Sequence, residues 1–122
     1  MSGVITSAGK ALIANLGIGS GTEFGYLAYG SDDTAAAVTD TALGTETDRE
    51  AATTSRVTTS VTNDTMRFTK TFDISDDVTV KEIGIFNDAT AGTMLARYVL
   101  GTARTLADGD SYVVTFDIPV SA

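Results

Sequence analysis

The sequence lacks the side chains on which most enzymatic and metal chemistry depends. Its 122 residues contain no cysteine, no histidine and no tryptophan, and only one proline. The absence of cysteine excludes disulfides, thiolate metal sites and a cysteine nucleophile. The absence of histidine removes the commonest general base and transition-metal ligand. These absences exclude a Ser-His-Asp hydrolase and argue against an enzyme, and no cofactor or metal is expected.

Positive charge is also scarce. Eight lysine and arginine residues stand against sixteen aspartate and glutamate residues, which gives a formal net charge of -8. The basic residues are scattered, so neither a phosphate backbone nor an anionic membrane surface meets a basic patch. We therefore expect no nucleic-acid partner and no membrane partner. Few lysines with abundant aspartate and threonine also fit a halophilic protein, although a generic acidic surface explains them equally well.

Long apolar runs are missing too. Gly, Asn, Lys or Asp interrupts every apolar stretch well before the roughly 20 residues that a membrane helix needs. The start of the chain has no basic segment followed by an apolar one, the pattern of a secretory peptide. Hydrophobic residues still make up 43% of the sequence, enough for a core. We expect residues 1–122 to form one soluble domain that is made in the cytoplasm.

The spacing of the apolar residues predicts one helix followed by strands. Residues 5–16 form the helix, with Thr6 or Ser7 as its N-cap and Gly17 at its end. From Phe24 onward the apolar period is two. This pattern predicts about six antiparallel strands, arranged as a mainly β sandwich or barrel with the helix docked on it.

A long polar segment interrupts the strands. Residues 31–55 are rich in Asp, Thr, Ala, Ser and Gly, with Val38 and Leu43 as the only large apolar residues. We expect a surface loop here, and loops of this length are usually functional or ordered by a partner. Residues 66–120 are predicted to form a C-terminal meander. Its last strand should be an edge strand, because Pro119 has no N–H to donate.

Two charged residues stand on predicted apolar strand faces. Lys70 lies between Phe68 and Phe72, and Glu82 shares its predicted face with Val80. If the two strands are neighbours, Lys70 and Glu82 meet inside the sheet. One interpretation is an ion pair near the rim, with the lysine stem packed on apolar neighbours. The other is an isopeptide bond, in which a buried carboxylate helps a neutral lysine to attack an Asn or Asp side chain.

Acidic turns leave a second question open. Aspartates pair at positions 32–33 and 76–77 and flank a glycine at positions 108–110. Their oxygens are the ligands that Ca²⁺ prefers, but none of these segments matches an EF-hand loop. Aspartate is also common in turns because its side chain accepts hydrogen bonds from nearby N–H groups.

Several segments together resemble a known family. In order, the segments 6–14, 41–49, 80–87 (VKEIGIFN) and 92–97 resemble the attachment domains at the base of tailed-phage tail fibres. The same order, closed by a strand like 109–116, is similar to small virion structural proteins of tailed phages and of (halo)archaeal tailed viruses.

The resemblance implies a non-enzymatic structural protein of a tailed-virus particle. Such a protein forms homo-oligomers, as a trimer or ring, and binds other virion proteins. Its place is the capsid surface, as a decoration or turret, or the fibre-attachment site of the tail or baseplate. The short chain favours decoration. The alternative is a carbohydrate- or receptor-binding module with Ca²⁺-dependent acidic loops, which would bind a host-surface receptor.

The resemblance also suggests which residues matter structurally. Glu46, Arg49 and Glu82 match its pattern, and we expect a charged cluster that joins the long loop to the EIGIF strand. The alternative is that Glu46 and Arg49 are simply solvated. With the inward Lys70 and with Arg97 at the end of the hairpin segment, these residues are the structural or interface candidates.

Overall fold

The computed structural model of the protein describes residues 2–120, and the predicted domain 1–122 thus extends beyond it by residues 1, 121 and 122. This part of the chain folds into one helix and eight strands. The helix is α1 (Ser7–Gly17). The strands are β1 (Ser2–Ile5), β2 (Tyr26–Gly30), β3 (Glu46–Ala51), β4 (Thr53–Val57), β5 (Thr65–Asp73), β6 (Val78–Phe86), β7 (Met94–Leu106) and β8 (Ser111–Pro119).

The strands form two antiparallel sheets. The five-stranded sheet has the order β1-β7-β6-β2-β3 and the three-stranded sheet the order β4-β5-β8. The mainly β, antiparallel prediction is confirmed. The barrel alternative is wrong, since two separate sheets do not close into one cylinder. The number of strands is eight among the described residues, not six, because β1 and β3 carry no strong apolar alternation.

The two sheets share a hydrophobic core, as in a sandwich. Tyr29 of the five-stranded sheet packs edge-on against Phe72 of the three-stranded sheet, with 4.9 Å between the ring centroids. Phe72 and Leu27 are fully buried, and Ile85 and Val80 join them from β6. Burial of these side chains from both sheets is the main force that holds the sheets together.

The helix begins at a buried threonine. Thr6 Oγ1 accepts a hydrogen bond from Gly9 N at 2.9 Å and donates one to Met94 O at 2.6 Å. The predicted helix and its N-cap are confirmed, although Ile5 belongs to β1. A side chain at Gly9 would overlap the backbone of Leu95, so this glycine lets the helix lie directly on β7. Within residues 2–120, no helix is long and apolar enough to cross a membrane.

Two loop and strand predictions need correction. The segment 31–55 is not one loop: its irregular part ends at residue 45, and β3 and the start of β4 follow. The segment 66–120 is not a simple meander, because β5 pairs with β8 and β6 pairs with β7 in the other sheet. The edge position of the last strand is confirmed, since β8 is the terminal strand of its sheet.

Candidate functional site

A β-bulge turns Glu82 away from the core. The pairing of β6 with β7 shifts register between Val80 and Glu82, so these two residues do not share a face as their spacing predicted. Val80 lies in the core between the sheets, whereas Glu82 lies on the opposite face, under the irregular segment 31–45. We call this segment the anchored loop.

The Glu82 carboxylate is completely buried and organises the anchored loop. Its Oε1 accepts hydrogen bonds from Gly44 N at 2.8 Å and Arg97 Nε at 2.9 Å. Its Oε2 accepts from Asp32 N at 3.1 Å and Thr45 N at 2.9 Å. Each oxygen thus receives two donors, which uses the full acceptor capacity of the carboxylate. Both ends of the loop are fixed on one side chain of β6.

Arg97 is the cation that pairs with Glu82. Its side chain is 3% exposed, and its Nη1 donates to Thr34 O at 2.8 Å and to Asp40 Oδ2 at 3.3 Å. Its Nη2 donates to Asp32 O at 3.3 Å. Hydrogen bonds from the backbone and side chain of Thr34, with a smaller effect of Arg97, lower the pKa of Asp32 below its ordinary value. The guanidinium therefore ties the middle of the loop to β7.

The predicted cluster of Glu46, Arg49 and Glu82 is split in two. Arg49 and Glu46 form a second site, in which Arg49 Nη2 and Nε meet the two oxygens of Glu46 at 2.7 and 3.2 Å. The guanidinium lies 3.5 Å from the centre of the Phe86 ring. Its Nη1 donates to the carbonyls of Asp88 and Ala91 at 3.0 and 2.7 Å. Arg49 thus links β3 to the β6–β7 hairpin, and its side chain is only 6% exposed.

The structure separates Lys70 from Glu82. Lys70 lies on β5 in the three-stranded sheet, and its Nζ is 3.4 Å from Glu50 Oε1 across the interface with β3. The predicted meeting of Lys70 with Glu82 is wrong, because the two strands belong to different sheets and Glu82 is paired with Arg97. The isopeptide hypothesis fails with it.

The acidic turns hold their own backbones. Asp77 Oδ1 accepts from Asp108 N at 3.0 Å, and Asp110 Oδ2 accepts from Ala107 N at 2.8 Å. Asp32 accepts from Thr34. Over residues 2–120 no three acidic side chains converge in a way that could hold a metal ion. These contacts are those of turn-forming aspartates.

Glycines and backbone amides of the loop were not predicted as parts of the site. A side chain at Gly44 would overlap the Asp32 carboxylate, and one at Gly30 would overlap Thr45 O, next to Glu82. The sequence signals for this site were the glutamate of the apolar strand EIGIF and Arg97 at the end of the hairpin segment. The contacts of the arrangement fix a loop of irregular backbone.

Comparison with known proteins places this fold in context. A family model described as "Gp80: Podophage GP4 fiber I protein gp80" matches residues 23–118. The matched range holds the anchored loop, both charged clusters and the strands from β2 almost to the end of β8. Searches of curated proteins and of solved structures gave no match. The predicted resemblance to tail-fibre proteins of tailed phages is confirmed.

Proposed function

Because the chain belongs to the family of the podophage GP4 fiber I protein gp80, we propose that it is a non-enzymatic structural component of a phage tail fibre and works as a homo-oligomer. A fibre family indicates a virion structural protein. The family match, which covers most of the chain, is the observation that carries the proposal. The match favours the tail over capsid decoration, since the description of the family names a fibre protein.

The anchored loop is the proposed contact surface. It exposes small and apolar residues, among them Ala35, Ala37 and Val38, whose side chain is 47% exposed. Val38 O also accepts a hydrogen bond from Ser7 N at 2.8 Å, which fixes the loop against the start of α1. Binding through a loop already held by Glu82 and Arg97 loses little conformational entropy. Irregular backbone fixed in this way suits an intersubunit contact.

Symmetric self-association is the proposed way in which this surface acts. Closed oligomers of identical copies repeat one contact patch by symmetry, so individually weak contacts add together along a particle. The net charge of -8 makes copies repel one another in general. Of the three acidic side chains of the anchored loop, Asp32 and Asp40 are turned onto Arg97 and the exposed Asp33 lies 3.9 Å from Lys81 Nζ, which reduces repulsion at this surface.

Two measurements test the proposal. Gold-labelled antibodies on purified particles should decorate the tail; label on the capsid alone, or none, contradicts a fibre component. Light scattering on the purified protein should give the mass of a closed oligomer, which Val38→Asp reduces to the monomer. Val61→Asp is the control, because Val61 is 68% exposed in the β4–β5 turn. A wild-type monomer at about 100 µM, where even weak oligomers of micromolar Kd are populated, contradicts the homo-oligomer.

A further inference from the structure

Strand β8 presents a long free edge. All nine of its residues pair with β5 in one uninterrupted register, from Ser111 opposite Asp73 to Pro119 opposite Thr65. Within the described part of the chain no strand pairs with its other side. A regular edge of this length offers a row of backbone donors and acceptors to a further strand.

The hydrogen bonds that flank β8 show which residues face the free side. Ile74 N donates to Asp110 O at 2.8 Å, and Val120 N donates to Asp64 O at 2.8 Å. These bonds belong to the same register as the β5–β8 pairing, so the even-numbered residues of β8 bond to β5. The backbone groups of Val113, Thr115 and Asp117 therefore point to the free edge.

The edge carries little of the protection that soluble proteins usually place there. Natural edges are blunted by lysines, bulges or prolines. Here Val113 is 61% exposed, and the charge of Asp117 is paired with Arg67, whose Nε and Nη2 lie 2.8 and 2.9 Å from its two oxygens. Only Pro119, at the end, lacks an N–H.

An open apolar groove runs beside this edge. It measures about 670 Å³ and lies between β8 and the inner face of β7. A second groove of about 340 Å³ continues it towards β1 and shares Tyr98, Phe116 and Asp117. Beside β8 the two grooves are lined by Tyr98 and Leu100 of β7 and by Val4 and Ile5 of β1, in the five-stranded sheet. A strand added to β8 would cover these apolar side chains.

The position of the groove argues against the β8 strand of a second copy as the occupant. Two antiparallel copies of β8 are related by a two-fold axis perpendicular to the sheet, so both inner faces point the same way. In such a pair, β7 and β1 of one copy would lie under β8 of the other copy. That space is already occupied by the other copy's five-stranded sheet. A strand without a sheet of its own avoids this overlap.

Charge adds a second requirement. The Arg104 guanidinium lines the groove at its Tyr112 end, 5.6 Å from the centre of that ring. Among residues 2–120 it forms no salt bridge within 4.0 Å. An acidic side chain at the matching end of the occupant would pair with it.

We propose that the β8 edge and its groove bind an extended segment of another virion protein, which adds to β8 as a fourth, antiparallel strand. The segment has an apolar residue at every second position and an acidic residue at the end that meets Arg104. The backbone bonds to β8 provide affinity, and the groove selects the alternating side chains. The nature of the partner rests on the proposed function; the binding mode does not.

A synthetic peptide serves as the probe. The sequence GDSYVVTFDIP, residues 109–119 without the rest of the protein, has the required alternation, with Tyr112, Val114, Phe116 and Ile118 on one face. In a titration followed by ¹⁵N NMR, we expect saturable shifts at Val113, Thr115 and Asp117 of the protein. A scrambled peptide should cause none, and replacement of the peptide's Ile118, which faces the groove at the Tyr112 end, by Asp should strengthen binding through Arg104.

Variants identify the edge as the contact. Thr115→Pro removes an N–H on the free side and should weaken binding roughly tenfold or more, the equivalent of one or two lost backbone bonds. Thr115→Ala, which keeps the N–H, should bind like the wild type. A second probe leaves the protein unchanged. One peptide is N-methylated at its odd-numbered residues and another at its even-numbered residues. Their affinities should differ, because only one of the two sets of amides faces β8.

Three results overturn the inference. The first is the absence of saturable shifts at peptide concentrations up to about 1 mM, which corresponds to a very weak Kd. The second is equal affinity for both methylated peptides. The third is self-association of the wild type that Thr115→Pro abolishes, which would assign the edge to a second copy. Absence of the protein from particles would contradict the proposed function instead, and leaves peptide binding to β8 unaffected.

Discussion

At the residue scale, the molecule depends on one buried carboxylate. Removal of a charge from water costs several kcal/mol, and the cost is offset only where the charge is paired and its remaining lone pairs are hydrogen-bonded. Glu82 meets both conditions, with Arg97 as its counter-ion and three backbone amides as further donors. The same contacts close the anchored loop, so the energy of this pair and the shape of the loop are coupled.

Glu82→Gln should therefore destabilise the protein strongly. The amide has the right size, but its NH₂ group must face two N–H donors and Arg97 loses its buried counter-ion. We expect a loss of about 3 to 5 kcal/mol in the free energy of unfolding, the usual cost of breaking a buried pair. Urea denaturation followed by circular dichroism measures it.

Glu46→Gln is the matched control for that change. The Glu46 side chain is 33% exposed, so its pair with Arg49 is partly screened and should be worth about 1 kcal/mol or less. Equal losses for the two variants would contradict the central role of Glu82. Faster hydrogen exchange at Asp32, Gly44 and Thr45 in Glu82→Gln alone would show that the loop is released.

The lowered pKa of Asp64 makes the free energy of unfolding depend on pH. Hydrogen bonds from the backbone amides of Val61, Thr59 and Ser60 hold the pKa of Asp64 far below its ordinary value of 3.8. Its stabilisation is therefore complete above that value and is lost as the pH falls towards the lower, folded-state pKa. Asp64→Asn should lower the urea midpoint equally at pH 7 and pH 5, and the difference from wild type should shrink below pH 3.8. A difference from wild type that stays constant at all pH values would contradict the assignment.

The sequence identified the charged residues but not their partners. Glu82 stands out because charge is rare inside apolar strands, and Arg97 was named because it ends the hairpin segment that resembles the family. Their pairing with each other was not predicted, because the bulge after Val80 moves Glu82 to the other face and no alternation pattern shows a bulge. The backbone amides of Gly44 and Thr45 carry no side-chain signal at all.

At the element scale, strong periodicity separated what could be predicted from what could not. The strands β5 and β8 have clear stripes of buried residues, whereas α1 buries only Gly9 and Leu12; all three appear where their patterns placed them. The β3 strand (ETDREA) was missed because it is an edge strand with few apolar contacts, formed by pairing with β2 and not by its own composition.

The N-cap of α1 offers a test at this scale. Thr6→Val removes the acceptor for Gly9 N and leaves Met94 O without its donor, while keeping the volume of the buried side chain. We expect a loss of about 2 kcal/mol, which combines a lost cap with an unpaired buried carbonyl. Thr6→Ser keeps both hydrogen bonds and should cost less than about 1 kcal/mol. Equal thermal midpoints for the two variants would show that the hydroxyl does not hold the helix.

At the scale of the whole molecule, the two sheets differ in what they do. The five-stranded sheet carries the anchored loop and both charged clusters, and the three-stranded sheet carries the free β8 edge. The two proposed contact surfaces thus lie on different sheets. A fibre component could then bind its own copies through one surface and another protein through the other. That residues 1–122 form one domain stays a prediction.

Replacement of Phe72 by alanine tests whether the chain unfolds as one unit. Phe72 is fully buried and contacts Tyr29 of the other sheet, so Phe72→Ala should cost about 3 to 5 kcal/mol through lost burial and the cavity left behind. In a single domain the loss is shared: near- and far-UV circular dichroism should report one transition, and slow amide exchange in β6 and β5 should accelerate by the same factor. Val113→Ala, on the exposed edge, should change stability by no more than about 0.5 kcal/mol. If β5 and β8 lose protection while β6 and β7 keep theirs, the sheets are separate cooperative units, and the shared core holds them less tightly than its burial implies.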